Sequence, residues 1–187
     1  MSHPVPTHRP ASLRRHATRR TVAALAATAA LTATSAMAAA PASAASCAVT
    51  WGSGAKSSAP LVTGRLTAVR AGHHTCYDRL VVDMTRAAPG YDVRYVTTVY
   101  ADGSGAPVPV AGGARLAVVV RKGATSVPAM PSVAGYPTFR QVRWAGSFEG
   151  QTTLALGVRA RLPFRVFTLR DTATNTSKLV VDVAHRW

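Results

Sequence analysis

Beyond residue 60 the chain reads as short runs of alternating apolar and polar residues. The runs at 66–70, 77–84, 91–100, 114–121, 139–145, 152–160, 164–169 and 179–184 are rich in Val, Thr, Leu or aromatic residues. Each is bounded by Gly, Pro, Asn or Asp, and this pattern predicts eight β-strands. Turns are predicted at Pro89-Gly90, Asp102-Gly103-Ser104-Gly105, Gly112-Gly113 and 171–177. Pro128, Pro131 and Pro137 mark a long irregular connection over 122–137. No capped helical stripe longer than about ten residues is present. Eight short strands at this spacing predict an all-β fold, a β-sandwich or small barrel.

One stretch echoes another. Arg79-Leu80-Val81-Val82-Asp83-Met84 and Lys178-Leu179-Val180-Val181-Asp182-Val183 both read basic, Leu, Val, Val, Asp, apolar. Alternate strand residues share a face, so Leu80, Val82 and Met84 fall together, as do Leu179, Val181 and Val183. Asp83 and Asp182 fall on the opposite faces. The echo predicts two equivalent strands, one in each half of a sandwich; the alternative is coincidence, because Leu-Val-Val suits any strand core.

The N-terminus follows another pattern. Arg9, Arg14, Arg15, Arg19 and Arg20 are followed by an uncharged Ala- and Thr-rich stretch, 21–40, and then by Ala42-Ser43-Ala44. That layout is expected of a secretory signal peptide spanning 1–44, exported by the Sec or the twin-arginine route. The alternative is a membrane anchor, which the shortage of Leu, Ile and Phe in the stretch disfavours. The mature domain is then 45–187, with no membrane span of its own. At about 140 residues it is large enough to bury roughly 70% of its unfolded surface.

Composition adds less. Charged residues make up only 16% of the chain, and Lys+Arg outnumber Asp+Glu by 22 to 7. Five of these basic residues and none of the acidic ones lie in the leader, which leaves the mature domain at +10. Only three of the basic residues are Lys, an Arg-over-Lys bias that tracks genome composition, so the excess does not by itself indicate a nucleic-acid partner. The two cysteines, Cys47 and Cys76, are expected to form a disulfide in an oxidising compartment. The bridge would close a loop of about 30 residues, worth about 3.5 kcal/mol in the chain-entropy account. Two thiols or a redox pair are the alternative, without the Cys-x-x-Cys spacing such pairs use.

The segment Asp78-Arg79-Leu80-Val81-Val82-Asp83 resembles the motif that opens AMIN domains. Over 47–187 the chain resembles the AMIN-like domain of actinobacterial secreted proteins and lipoproteins. The residues that carry this are Cys47-Ala48-Val49-Thr50-Trp51-Gly52, Gly90-Tyr91-Asp92-Val93-Arg94-Tyr95-Val96, 145–153 and 157–167. The resemblance implies a β-sandwich of two small sheets and a non-catalytic role in the cell envelope, where AMIN domains bind peptidoglycan and place partner enzymes. It supplies no binding residue.

Catalytic chemistry is poorly represented. The mature histidines are His73, His74 and His185, and no Gly-x-Ser-x-Gly elbow accompanies them. Two adjacent histidines and one distant one do not make a metal site, so no metal or cofactor is expected. Glu149, the single Glu, could pair with Asp83 or Asp182 in a wall glycan or peptide hydrolase, but a turn or an Arg contact is the expected role. Asp102 alone is too little for calcium.

The expectation is therefore a secreted, wall-associated, non-enzymatic module whose partner is peptidoglycan, teichoic acid or an envelope protein. The alternatives are the Glu149 hydrolase and an assembly adaptor. The expected binding surface is Arg159, Arg161 and Arg165. The first two are spaced to share one strand face, and Pro163 breaks the ladder before the third. Guanidiniums so placed suit phosphate or carboxylate oxygens. Pairing with Asp83, Asp171, Asp182 or Glu149 is the competing role for them.

Overall fold

The computed structural model describes residues 47–60 and 62–187; the expected leader, 1–44, lies outside them. The strands in chain order are β1 (Lys56–Ser58), β2 (Leu66–His73), β3 (Tyr77–Thr85), β4 (Tyr91–Val96), β5 (Val99–Tyr100), β6 (Pro107–Val108), β7 (Ala114–Val120), β8 (Phe139–Phe148), β9 (Gln151–Val158), β10 (Phe164–Asp171) and β11 (Thr176–Ala184). A five-stranded antiparallel sheet runs β1-β4-β7-β9-β8 and packs on a four-stranded one, β10-β11-β3-β2. The fold is an all-β sandwich. Leu80, Val82, Leu179 and Val181 of the smaller sheet meet Val93, Leu116, Val118, Leu154 and Leu156 of the larger in a single core. Alternation places these residues inside, as period-2 patterning requires.

The predicted strand at 91–100 is two strands. The ladder breaks at Thr97, and β5 leaves the sheet to pair with β6. The turn between them holds Asp102-Gly103-Ser104-Gly105, closed by the Gly105 N–H donating to the Ala101 carbonyl at 3.0 Å. This hairpin lies over the outer face of the five-stranded sheet. Val99 and Val110 pack there on Ala145 and Ala155. The contact is close enough that a Cβ at Gly157 would collide with the Ala111 carbonyl oxygen, so glycine is required at that position in β9.

The two echoed strands do not lie in opposite halves. β3 and β11 are antiparallel neighbours at the centre of the four-stranded sheet, with Val81 opposite Val180. The reason is charge. Antiparallel pairing of a basic-x-x-x-acid strand with its own echo sets Arg79 across from Asp182 and Asp83 across from Lys178.

Buried polar groups are satisfied in specific ways. Asp78 of β3 is fully buried, and its Oδ2 accepts the N–H groups of Thr138 (2.7 Å) and Phe139 (2.8 Å) at the start of β8. It thus ties one sheet to the other. Lys122 is buried too, and its Nζ donates to the carbonyls of Thr85 and Ala87, each at 2.5 Å. Burial, reinforced by Arg170 and Arg86, pushes the Lys122 ammonium below its ordinary pKa. The expected disulfide is present: Cys47 and Cys76 are bonded, with Cα atoms 5.1 Å apart.

Two outcomes follow for stability. Native protein should present no thiol to an alkylating reagent, and Cys47→Ser should lower the unfolding free energy by about 3 kcal/mol in a denaturant titration. For Lys122, the unfolded chain holds the proton more tightly than the folded one. Its contribution to stability therefore rises with pH as the folded-state amine loses its proton, until the unfolded lysine titrates near pH 10. The stability difference between wild type and Lys122→Met, measured from pH 7 to 10, should shift in favour of wild type as pH rises.

Candidate functional site

With the β5–β6 hairpin covering one outer face, the outer face of the four-stranded sheet is left for solvent. The residues it presents are Arg165, Phe167 and Leu169 from β10, Lys178, Val180 and Asp182 from β11, Tyr77, Arg79, Val81 and Asp83 from β3, and Arg70 from β2. Its centre is Asp182, a carboxylate with no exposed surface. Arg79 grips it with two bonds, Nε–Oδ1 at 2.7 Å and a terminal nitrogen to Oδ2 at 2.9 Å. Arg165 adds Nε–Oδ2 at 2.8 Å. Two guanidiniums on one carboxylate leave a net positive charge. The hydrogen bond to Asp182 holds Arg79 above the ordinary guanidinium pKa, against the opposing effect of burial.

Aromatic rings fix these cations. The Arg165 guanidinium lies 4.4 Å from the Trp51 ring centroid and 5.3 Å from that of Phe167. Arg79 lies 5.2 Å from Tyr77 and 5.5 Å from Phe167. Trp51 meets Tyr77 edge-to-face at 5.7 Å. The disulfide anchors the segment that brings Trp51 across the sheet. Beyond this cluster a shallow groove of about 280 Å³ runs over Val81, Val180 and Leu169, edged by Arg70, Arg79 and Lys178. Arg70 is itself paired with Asp83, at 2.5 and 2.8 Å.

The expected arginine triad is only partly assembled. Arg159 and Arg161 are not strand residues, because β9 ends at Val158. The chain bends there, and the Tyr95 hydroxyl holds the bend by donating to the Leu162 carbonyl and accepting its N–H, both at 2.9 Å. Burial raises the Tyr95 pKa, so the hydroxyl keeps the proton it donates. Arg161 turns toward the Tyr95 ring, 5.1 Å away, and reaches the Ser53 hydroxyl and carbonyl at 3.3 Å. Arg161 and Arg165 therefore flank one segment, Trp51 to Ser53. Arg159 points elsewhere and donates to the His185 carbonyl. Arg161 and Arg115 line an open pocket of about 380 Å³ with Tyr95 and Thr97. Neither has a carboxylate partner among the described residues.

Other expected roles resolve as follows. Glu149 occupies the two-residue β8–β9 turn, with Glu149 and Gly150 both at positive φ, 48° and 76°. Its possible partners Asp83 and Asp182 are engaged by arginines on the other sheet. Asp171 caps its own turn by accepting the Thr174 N–H at 3.1 Å; hydrogen bonding from the Thr174 side chain, and then from its backbone, holds the Asp171 pKa low.

Two of the three described histidines, distant in sequence, meet in the fold. His73 and His185 are brought together, ring centroids 5.6 Å apart, and His185 Nε2 is 3.0 Å from Asp78 Oδ1. Sequence reasoning missed this contact, and it missed Trp51, Tyr77, Arg79 and Phe167 as surface residues. The echo held a signal for Arg79 and Asp182. Nothing in the sequence linked the histidines across more than a hundred residues.

Fold and surface together define a class, a small all-β sandwich that shows solvent one arginine- and aromatic-rich sheet face. The AMIN-like domain model matches residues 64–185, and the chain belongs to the AMIN-like domain family. Membership sets it among cell-envelope modules, which are generally non-catalytic binding domains. The match begins at Gly64, so Cys47 and Trp51 lie outside it. No curated protein matches the chain.

Removing the carboxylate should expose how the face is held. Asp182→Ala leaves two part-buried guanidiniums unpaired and should cost about 2 kcal/mol of stability, less than a fully buried pair because both arginines reach solvent. Urea unfolding of the variant beside wild type measures this.

Proposed function

We propose that this chain is an exported, non-catalytic module that binds peptidoglycan or an associated anionic polymer of the cell wall. The binding surface is the one that Arg161 and Arg165 flank around Trp51; Arg159 supports it by holding the C-terminal segment. The observation that carries this reading is the excess of oriented cations over carboxylates at an exposed aromatic surface. Arg79 and Arg165 share one aspartate, and Arg161 has none among the described residues. Oriented guanidiniums suit the stem-peptide carboxylates and teichoic phosphates of a wall, and ring faces suit the apolar faces of its sugars. The Cys47–Cys76 bridge supports an oxidising, extracellular setting, and the basic leader with its small-residue cleavage site supports export.

Sedimentation with purified cell walls, with and without teichoic acids, tests the proposal. Wild-type protein should pellet with the walls and be released as salt is raised, since exposed charges are screened over about 10 Å at 0.1 M. Arg161→Gln should weaken binding about tenfold, the worth of one charge-assisted contact, with an unchanged melting temperature. Binding that is flat in salt and equal in this variant would contradict the assignment. Loss of binding only when teichoic acids are stripped identifies the phosphate polymer as the ligand.

A further inference from the structure

At the end of the sandwich near the disulfide, three potential metal ligands converge from separate parts of the chain. His73 ends β2, Asp78 lies opposite it in β3, and His185 follows β11. One donor atom from each lies within 4.8 Å of the other two. We propose that His73, Asp78 and His185 form a site for one divalent transition-metal ion of the zinc type, with a coordination position open to solvent. This proposal is independent of the wall-binding reading and uses none of its residues.

The asymmetry of Asp78 argues for it. Its Oδ2 is saturated by two backbone N–H groups, which fix the carboxylate rigidly. Its Oδ1 faces His185 Nε2 at 3.0 Å. Two ligand atoms that each sit about 2.1 Å from a zinc ion are separated by roughly 3.0–3.4 Å, so these two already stand near coordinating separation. Two neutral imidazoles and one carboxylate match the donor set of open zinc sites, where a water completes the coordination. The backbone donors behind Asp78 play the outer-sphere role that orients ligating carboxylates.

His73 supplies the third ligand and the opening. It is exposed, and its side chain makes no hydrogen bond to any described residue. A side-chain rotation at the end of β2 brings a ring nitrogen onto the ion. His185 is held in place by its own backbone, whose N–H donates to the Cys76 carbonyl at 2.9 Å. The disulfide therefore pins the hairpin on which two of the ligands sit. An ion at this point joins the C-terminal end of β11 to the β2–β3 hairpin.

His74 provides an internal control. It follows His73 directly but stacks on Tyr77 at 4.6 Å, on the other side of the hairpin. The test is calorimetric titration of zinc chloride into the disulfide-bonded protein carrying no polyhistidine tag. Cobalt(II) chloride in a parallel titration gives the visible absorption of the bound ion. We expect saturable binding of one ion per chain, at least about tenfold weaker in both His73→Ala and His185→Ala and unchanged in His74→Ala. His73→Ala lies on the exposed rim and should leave the fold intact, so a loss there with an unchanged melting temperature reads the site rather than the fold. No saturable zinc binding, binding that survives either the His73 or the His185 substitution, or equal loss in His74→Ala would overturn the proposal.

Discussion

The pairing of β11 with β3 is the constraint on which the rest of this domain depends. It joins strands about a hundred residues apart in sequence, so its closure entropy is high and its register must be specified strongly. Two features specify it. Inward, Leu80, Val82 and Met84 align with Leu179, Val181 and Val183 in the core. Outward, each strand's basic residue stands across from the other's aspartate, and Arg79 pairs with Asp182. A slip of one residue would turn the apolar set outward and Asp182 inward without a partner. The same register creates both surfaces of interest. Arg79 reaches Asp182, and Asp78 reaches His185, only once these two strands are aligned.

The two outer faces of the sandwich have different fates. The hairpin of β5 and β6 seals the larger sheet with a small apolar layer of its own, so β9 is buried on both sides. The smaller sheet keeps its outer face in solvent, and its charges are arranged there rather than scattered. A buried carboxylate shared by two arginines is tolerated because every oxygen and both stacked cations are satisfied locally. That arrangement gives a rigid surface with residual positive charge, held by Trp51, Tyr77 and Phe167. Rigid cations bind anions with less ordering entropy than mobile ones do.

Much of the fold was legible because strand cores announce themselves by alternation. Seven of the eight expected strands exist as single strands, the run at 91–100 divides into two, and the disulfide follows from the two cysteines. The short strands were not legible: Lys56–Ser58 has no apolar residue, and Pro107–Val108 is too brief to show a period. The break at Thr97 was hidden by a continuous run of β-formers, and only packing over β9 explains it. The echo of β3 in β11 was visible, but its partner was not. Charge complementarity between the two copies decides for one sheet over two. Arg159 and Arg161 looked like strand residues because Val158 and Leu162 continue the alternation. Pro163 and the Tyr95 hydroxyl end it sooner, which sends the two arginines to different neighbours. His73 and His185 could not be joined by any local rule, since their meeting is a product of topology.

The central claim is that the open face of the four-stranded sheet, around Trp51, is the binding surface. The three tryptophans of the chain report on it directly. Trp51 stacks on Arg165, Trp187 donates its indole N–H to the Arg161 carbonyl at 3.2 Å, and Trp144 sits in β8 on the other sheet. Indole ¹⁵N–¹H spectra of tryptophan-labelled protein, titrated with soluble peptidoglycan fragments and separately with teichoic acid, resolve the three sites. The account predicts that the Trp51 and Trp187 signals move with at least one of these ligands while Trp144 stays fixed. Movement of Trp144 alone, or of none of the three with either ligand, would contradict it.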